Sequence, residues 1–266
     1  MRIERFGNGE PEVAVIGGIH GDEPCGVRAI EALLENPPSF IRPVALVIAN
    51  ERAIDRGVRF VDEDLNRAFP GDSTADTHEG RLASRIVDAI GDCLTLSLHS
   101  TQSYSRPFGI VDTVDDLARS ITPRLSLDAL VEAGEFDRGR IFEGVPDTIE
   151  VECGLQGSEQ AAENAITVAR SFLQVVEAID PGSTPDTMAD RRPLPVYRLL
   201  DKVAKEPADR YDVHVENFEE VAAGQVFASA DGEPVKAAED FYPVLLSANG
   251  YDGQFGYTAE YLETID

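Results

Sequence analysis

The sequence predicts an α/β protein: a mixed, mostly parallel sheet flanked by helices, followed by a small C-terminal all-β domain. Three observations carry that prediction. Two runs, Val13 to Ile16 and Pro43 to Ala49, are apolar at almost every position, as suits strands covered on both faces. Helical spacings separate such runs through the first 180 residues. Beyond about residue 190 the texture changes to short alternating runs with no long helix between them.

Taken in order, Met1 to Gly9 reads as a short edge strand before a glycine-rich turn. Val13 to Ile16 is a buried strand closed by Gly17 and Gly18. Pro24 then suits a first helical position, and Val27, Ile30, Ala32, Leu33 and Leu34 give an apolar face up to the stop at Pro37 and Pro38. After the strand at Pro43 to Ala49, residues 50 to 71 form a long loop with one helical turn at Glu51 to Asp55. Loops of that length inside a compact domain usually have a task.

Thr77 to Ile90 has helical spacing at Leu82, Ile86, Ala89 and Ile90, with His78 read as a solvated residue on the polar side. Leu94, Leu96 and Leu98 alternate along a strand that ends at His99. Arg106 to Asp112 predicts another strand, and Val114 to Ala133 a mostly helical stretch broken near Pro123. In residues 146 to 154, Ile149, Val151 and Cys153 share one side, and Thr148, Glu150 and Glu152 the other. Ser158 caps a helix whose stripe is Ala162, Ala165, Ile166, Ala169, Phe172, Leu173 and Val176. Asp180 to Asp190 reads as a linker, which divides the chain into domains at 1–185 and 186–266. The C-terminal runs are Val196 to Leu200, Tyr211 to Val215, Gln225 to Ala230, Phe241 to Leu246 and Phe255 to Tyr261; His214, in one of them, receives no role.

Asp and Glu number 49 against 23 Lys and Arg, for a net charge of -26, which repels nucleic acid. Only Lys202, Lys205 and Lys236 are lysines. Such a composition suits a halophilic cytoplasm at molar salt, where the Debye length falls to roughly 3 Å; an acidic-ligand carrier or an anionic interaction surface is the alternative. No window is long and apolar enough for a membrane helix, and the N-terminus is charged without an apolar core, so a cytoplasmic protein with no membrane attachment is expected. Cys25, Cys93 and Cys153 are odd in number and scattered, which indicates no disulfide framework. Cys153 reads as a small buried filler, with a thiol nucleophile as the competing reading.

The chemistry gathers at strand ends. In open α/β sheets reactive groups collect beyond the carboxyl ends of the strands. His20 and Glu23 sit in such a turn, and a His-x-x-Glu pair is half of a zinc site of the two-His, one-Glu type. His99, at the end of another strand, fits as the missing ligand. Each His alone reads equally well as an ordinary polar strand-end residue, but the combination is harder to obtain by accident. Arg52, Arg56, Arg59, Asn66 and Arg67 concentrate guanidinium in one loop of an acidic chain, which suggests a carboxylate seat or, alternatively, simple charge balance. Glu150 and Glu152 share one strand face, which is costly unless they meet a metal, a base or water.

Four blocks, GGIHGDE, RFVDEDLNRAFPG, SLHST and EVECG, resemble in order and approximate spacing those of the succinylglutamate desuccinylase/aspartoacylase family of zinc-dependent deacylases, relatives of the zinc carboxypeptidases. The resemblance is strong from residue 13 to about 180 and only outlined beyond. It implies a zinc-carboxypeptidase-like fold, one Zn2+ per chain held by His20, Glu23 and His99, and hydrolysis of a small N-acyl amino acid or similar carboxylate. It implies Glu152 as general base, preferred to Glu150 by its spacing to Gly154. It also implies Arg59 polarising the scissile carbonyl, and Asn66 with Arg67 clasping the substrate carboxylate.

The family's second substrate Arg, about ten residues before the base, is absent at that offset; Arg140 and Arg138 lie slightly further upstream. Tyr251 is a weak match to a pocket-closing Tyr, and the C-terminal domain is expected to cover or shape the site. A homo-oligomer is compatible with the sequence. The competing functional readings are a zinc carboxypeptidase or esterase on the same scaffold, and a non-catalytic zinc-containing binding protein.

Overall fold

The computed structural model describes residues 1–136, 138–180 and 191–266. The described residues include thirteen strands and five α-helices with short 3-10 turns. Ten strands form one mixed sheet. Its centre is parallel: β3 (Val44–Ile48), β2 (Val13–Gly17), β4 (Leu94–Thr101) and β7 (Thr148–Leu155) lie side by side. β1 (Arg2–Phe6) covers one edge, antiparallel to β3. On the other side follow β5 (Phe108–Val111), antiparallel to β7, then β6 (Leu130–Glu132), parallel to β5.

β2 and β3 are fully buried, as their unbroken apolar runs require, and alternate residues feed two cores. Val13 and Val15 face a cluster that takes Cys25, Ala29, Ile30 and Leu33 from α1 (Pro24–Glu35) and Ala165, Ala169 and Phe172 from α5 (Glu159–Val175). Ala14 and Ile16 face the opposite cluster, filled by Leu82, Ala83, Ile86 and Ile90 of α3 (His78–Ile90). The helices start where their caps allow. The Thr77 side chain accepts from Gly80 N, Ser158 from Ala161 N, and Pro24 opens α1.

The fold is therefore the mixed α/β sheet with flanking helices that the sequence predicts, with a small antiparallel β sheet beside it. Three readings need correction. The expected helical stretch from Val114 to Ala133 yields only α4 (Asp116–Ile121) and a 3-10 turn; its end, Leu130–Glu132, is β6. Leu130 and Val131 are both fully buried between β5 and β8, a strand too short to show a period. His78 is half-buried rather than solvated, with Nε2 3.2 Å from Asn50 Oδ1.

The third correction concerns pairing beyond residue 190. β8 (Leu194–Ala204), β13 (Gln254–Ile265) and β12 (Tyr242–Val244) extend the main sheet, β8 by parallel pairing with β6. Only β9 (Tyr211–Val213), β10 (Val226–Ala230) and the unanticipated β11 (Glu233–Lys236) form the separate three-stranded sheet. Of the linker expected at Asp180 to Asp190, residues 181–190 lie outside the described residues, as does the domain boundary placed there.

Candidate active site

Parallel register builds the site. β2 ends with Gly17 beside Leu98 of β4, and His99, the next residue of β4, pairs with Glu152 of β7. The turn from Gly18 to Glu23 leaves β2 at the same edge, so His20, Glu23, His99 and Glu152 converge beyond three neighbouring strand ends. Gly21 is required there: a Cβ would stand 2.2 Å from Ala53 C and 2.4 Å from Ile54 N, because the turn lies against α2 (Glu51–Arg56). Gly154 has φ +131°, and a Cβ on it would meet Ser105 O at 2.8 Å. A side chain at either position would displace the residues beside it.

Glu23 bridges the two imidazoles. Its Oε1 lies 2.8 Å from His20 Nδ1 and its Oε2 3.2 Å from His99 Nδ1, while Ser100 N donates to Oε2 at 3.0 Å. The far ring nitrogens are also held. His20 Nε2 is 3.1 Å from Asp64 Oδ1, and His99 Nε2 is 3.0 Å from Ser97 Oγ. Arg59 completes the ring, donating through Nη1 to Glu23 at 3.0 Å and through Nε to Asp64 at 3.2 Å. One ligand atom from each of His20, Glu23 and His99 lies within 4.8 Å of the others, and all three side chains are buried. Two imidazoles and a carboxylate, each imidazole oriented through its second nitrogen, fit one divalent ion of zinc's kind.

The electrostatics agree with a site kept charged at a cost. Burial alone would lower His20, but Glu23 and Asp64 outweigh it and raise its pKa to about 9. Burial opposes the charged form of Glu23, yet the two His hold its carboxyl well below the usual carboxylate range. Asp64 is lowered in the same way by His20 and Arg59. Glu152 moves in the opposite direction. Burial first and Glu23 second push it up, and its Oε2 is buried without a hydrogen-bond partner.

One pocket takes in His20, Glu23, Arg59, Asn66, Arg67, His99, Arg140, Glu152 and Tyr251, the nine candidates of the sequence. Arg52 and Arg56 are not part of it: both are exposed on α2 and form no part of the anion seat expected of that loop. Arg138 is exposed, whereas Arg140 is buried and pairs with Glu150 Oε2. Glu150 also accepts from Asn66 Nδ2 at 2.7 Å, and Asn66 Oδ1 accepts from Ile141 N at 3.0 Å. The rival glutamate is thus bound into the wall, while Glu152 lines the cavity. Cys153 is wholly buried, and burial pushes its thiol up.

Sequence reasoning passed over Asp64 and Glu79. Asp64 lies in DLNR, inside a quoted motif, and is the carboxylate that orients His20. Glu79, buried in the first turn of α3, accepts from Val61 N at 2.7 Å, Asp62 N at 3.0 Å and Asn50 Nδ2 at 2.9 Å, which pins the loop carrying Arg59. An acid in a helix's first turn is favoured by the helix dipole wherever it occurs, so the sequence carries no signal that singles Glu79 out.

Together the sheet and this cluster define an α/β protein with a candidate single-metal centre at its strand ends. Residues 9–178 match the profile described as Succinylglutamate desuccinylase/Aspartoacylase catalytic domain, and the chain belongs to that family. An N-acyl-aromatic-L-amino acid amidohydrolase (carboxylate-forming) of Xenopus tropicalis is 32% identical over 106 residues, which are 35% of this chain and 34% of that protein. An aspartoacylase of the same organism is 33% identical over 92 residues, 34% of this chain and 29% of that protein. The matches thus span about a third of those relatives' length. The crystal structure of murine aminoacylase 3 superposes with a TM-score of 0.76 at 22% identity, covering 97% of this chain and 98% of that one, a likeness of fold.

Proposed function

We propose that this protein is a zinc-dependent hydrolase that deacylates an N-acyl amino acid, releasing a carboxylic acid and the amino acid. The observation that carries the reading is Glu23 set between the Nδ1 atoms of His20 and His99, with Glu152, whose Oε2 is buried without a hydrogen-bond partner, in register beside His99. His20, Glu23 and His99 would hold the ion. A bound Zn2+ supplies Lewis acidity, bringing the pKa of water in the site down toward about 7 and polarising a carbonyl.

The protein's own groups supply the rest. Glu152, raised by burial, accepts a proton from the attacking water and returns it to the leaving nitrogen. Arg59 stands beside Glu23, where its guanidinium can meet the charge that develops on the carbonyl oxygen; one such donor is worth ~3 kcal/mol. Arg67, with Asn66, seats the substrate carboxylate, and Tyr251 closes the far wall, so that positioning lowers the barrier further. Asp64 and Ser97 act as positioning residues for the two His.

Metal analysis of the purified protein together with a screen of N-acyl amino acids, peptides and esters tests the reading. Stoichiometric zinc with turnover of N-acyl amino acids is expected; hydrolysis confined to peptides or esters would overturn it. Among the described residues no helix is long and apolar enough to cross a membrane. We also read the net charge of -26 as an adaptation to a cytoplasm at high salt. The Tm should then rise as KCl is taken from about 0.1 M to about 2 M, and a flat or falling Tm would count against it.

A further inference from the structure

A second cationic pocket lies away from the strand ends, and we infer that it binds a phosphate group whose presence steadies the loop carrying Arg59. It is an open cavity of about 220 Å³ along the N-terminal half of α3, lined by Ser73, His78, Arg81, Leu82 and Arg85. None of these lines the pocket at the strand ends. Among the described residues no carboxylate lines the cavity, in a chain where acids outnumber Lys and Arg by 49 to 23.

Arg81 and Arg85 stand four residues apart on α3, so their side chains are neighbours on one face. Like charges at that spacing destabilise a helix unless something lies between them. Neither is neutralised from within the chain. Arg81 Nη1 donates to the carbonyl oxygens of Ala75 and Asp76, which carry no net charge. Arg85 is exposed and forms no ion pair or hydrogen bond among the described residues. Asp72, in the loop before α3, is occupied elsewhere: its Oδ1 accepts from Thr74 N and Oγ1, each at 2.7 Å.

The donor set selects the ligand. A single guanidinium fork satisfies a carboxylate, whereas two forks and the Ser73 hydroxyl around one cavity match the three free oxygens and nearly double charge of a phosphate. Leu82 adds no competing acceptor. His78 forms the wall rather than a ligand, since its Nε2 lies 3.2 Å from Asn50 Oδ1 and its Nδ1 3.4 Å from Arg52 Nη1. Through that wall the cavity reaches the catalytic loop. Asn50 Nδ2 donates to Glu79, which also accepts from Val61 N and Asp62 N, and His78 N donates to Asp62 Oδ2 at 2.7 Å. An anion gripped by Arg81 and Arg85 therefore adds to the contacts that hold the start of α3 and, with it, the segment next to Arg59.

Calorimetry on the full chain in about 2 M KCl tests the site, with inorganic phosphate and methyl phosphate titrated separately and acetate as the carboxylate control. One phosphate per chain is expected. Arg85→Ala removes an exposed, unpaired side chain and should weaken binding about tenfold or more without disturbing the fold. Binding of inorganic phosphate alone identifies the free ion as the ligand, and equal or tighter binding of methyl phosphate identifies a phosphate ester. No phosphate binding, binding untouched by Arg85→Ala, or acetate bound as tightly overturns the inference. Hydrogen exchange reads the link to the loop: the Val61 and Asp62 amides should exchange several-fold more slowly with phosphate bound, in the unmodified protein but not in Arg85→Ala. Unchanged exchange in the phosphate-bound protein overturns that link. No readout involves turnover, so failure of the deacylase reading leaves the result standing.

Discussion

Two regions border the pocket and are held in different ways. His20, His99 and Glu152 stand at the ends of central parallel strands, buried on both faces and locked in register. Leu245, Ser247, Gly250 and Tyr251 reach the same cavity from the connection between β12 and β13. That connection is tied down by polar contacts: Lys205 Nζ donates to Ala248 O at 2.7 Å and to Tyr251 O at 2.5 Å, and Asn217 bonds Leu246 through both ends of its amide. The first region fixes groups that handle the reacting atoms and cannot shift without loss. The second fixes the far wall, where a small change alters fit more than chemistry.

The largest expected effect lies in the first region. Glu152→Gln should lower kcat by about 10²- to 10⁴-fold while zinc content stays at one per chain. Retained turnover would move the proton transfer away from β7. Next comes Asp64→Ala, which frees His20 Nε2 from its carboxylate and should weaken metal affinity about 10- to 100-fold.

The same variant sharpens a pH dependence. In the metal-free protein His20 has its pKa raised to about 9, so the ion competes with a proton there. The stabilisation from that protonated His is full below its unfolded pKa of roughly 6.5 and is lost as pH rises through about 9. Apparent metal affinity should therefore climb with pH, by about tenfold per unit up to about 9, and less steeply in Asp64→Ala. Competition titrations with a chelator would show it.

The smallest effect belongs to the second region. Lys205→Ala removes the ties to Ala248 and Tyr251 and should raise KM a few-fold, with kcat and zinc content nearly constant. A large fall in kcat would mean that the C-terminal wall takes part in the chemistry, and the contrast between the two regions would vanish.

The same contrast explains what the sequence reveals. The strand-turn-helix around His20 is legible because its signals are local: an apolar run, two glycines, His-x-x-Glu and a helix-opening proline. The β7 face is legible because Glu150 and Glu152 break an apolar alternation. Pairing between distant segments leaves no such mark, so the C-terminal strands read as a separate β domain although β8, β12 and β13 continue the main sheet. Asp64 and Glu79 are hidden among 49 acids, and only their contacts distinguish them. Arg140 and Arg138 both come from the family resemblance at a shifted offset, and the pairing of Arg140 with Glu150, ten residues away on another element, leaves no mark in the sequence.

Zinc titration of the metal-free protein beside His99→Ala tests the central claim most directly. The account predicts one tightly bound Zn2+ per chain in the unmodified protein, with two nitrogen ligands and a carboxylate in its X-ray absorption spectrum, and loss of that binding in the variant. Equal zinc binding by both proteins, or none by either, would contradict it.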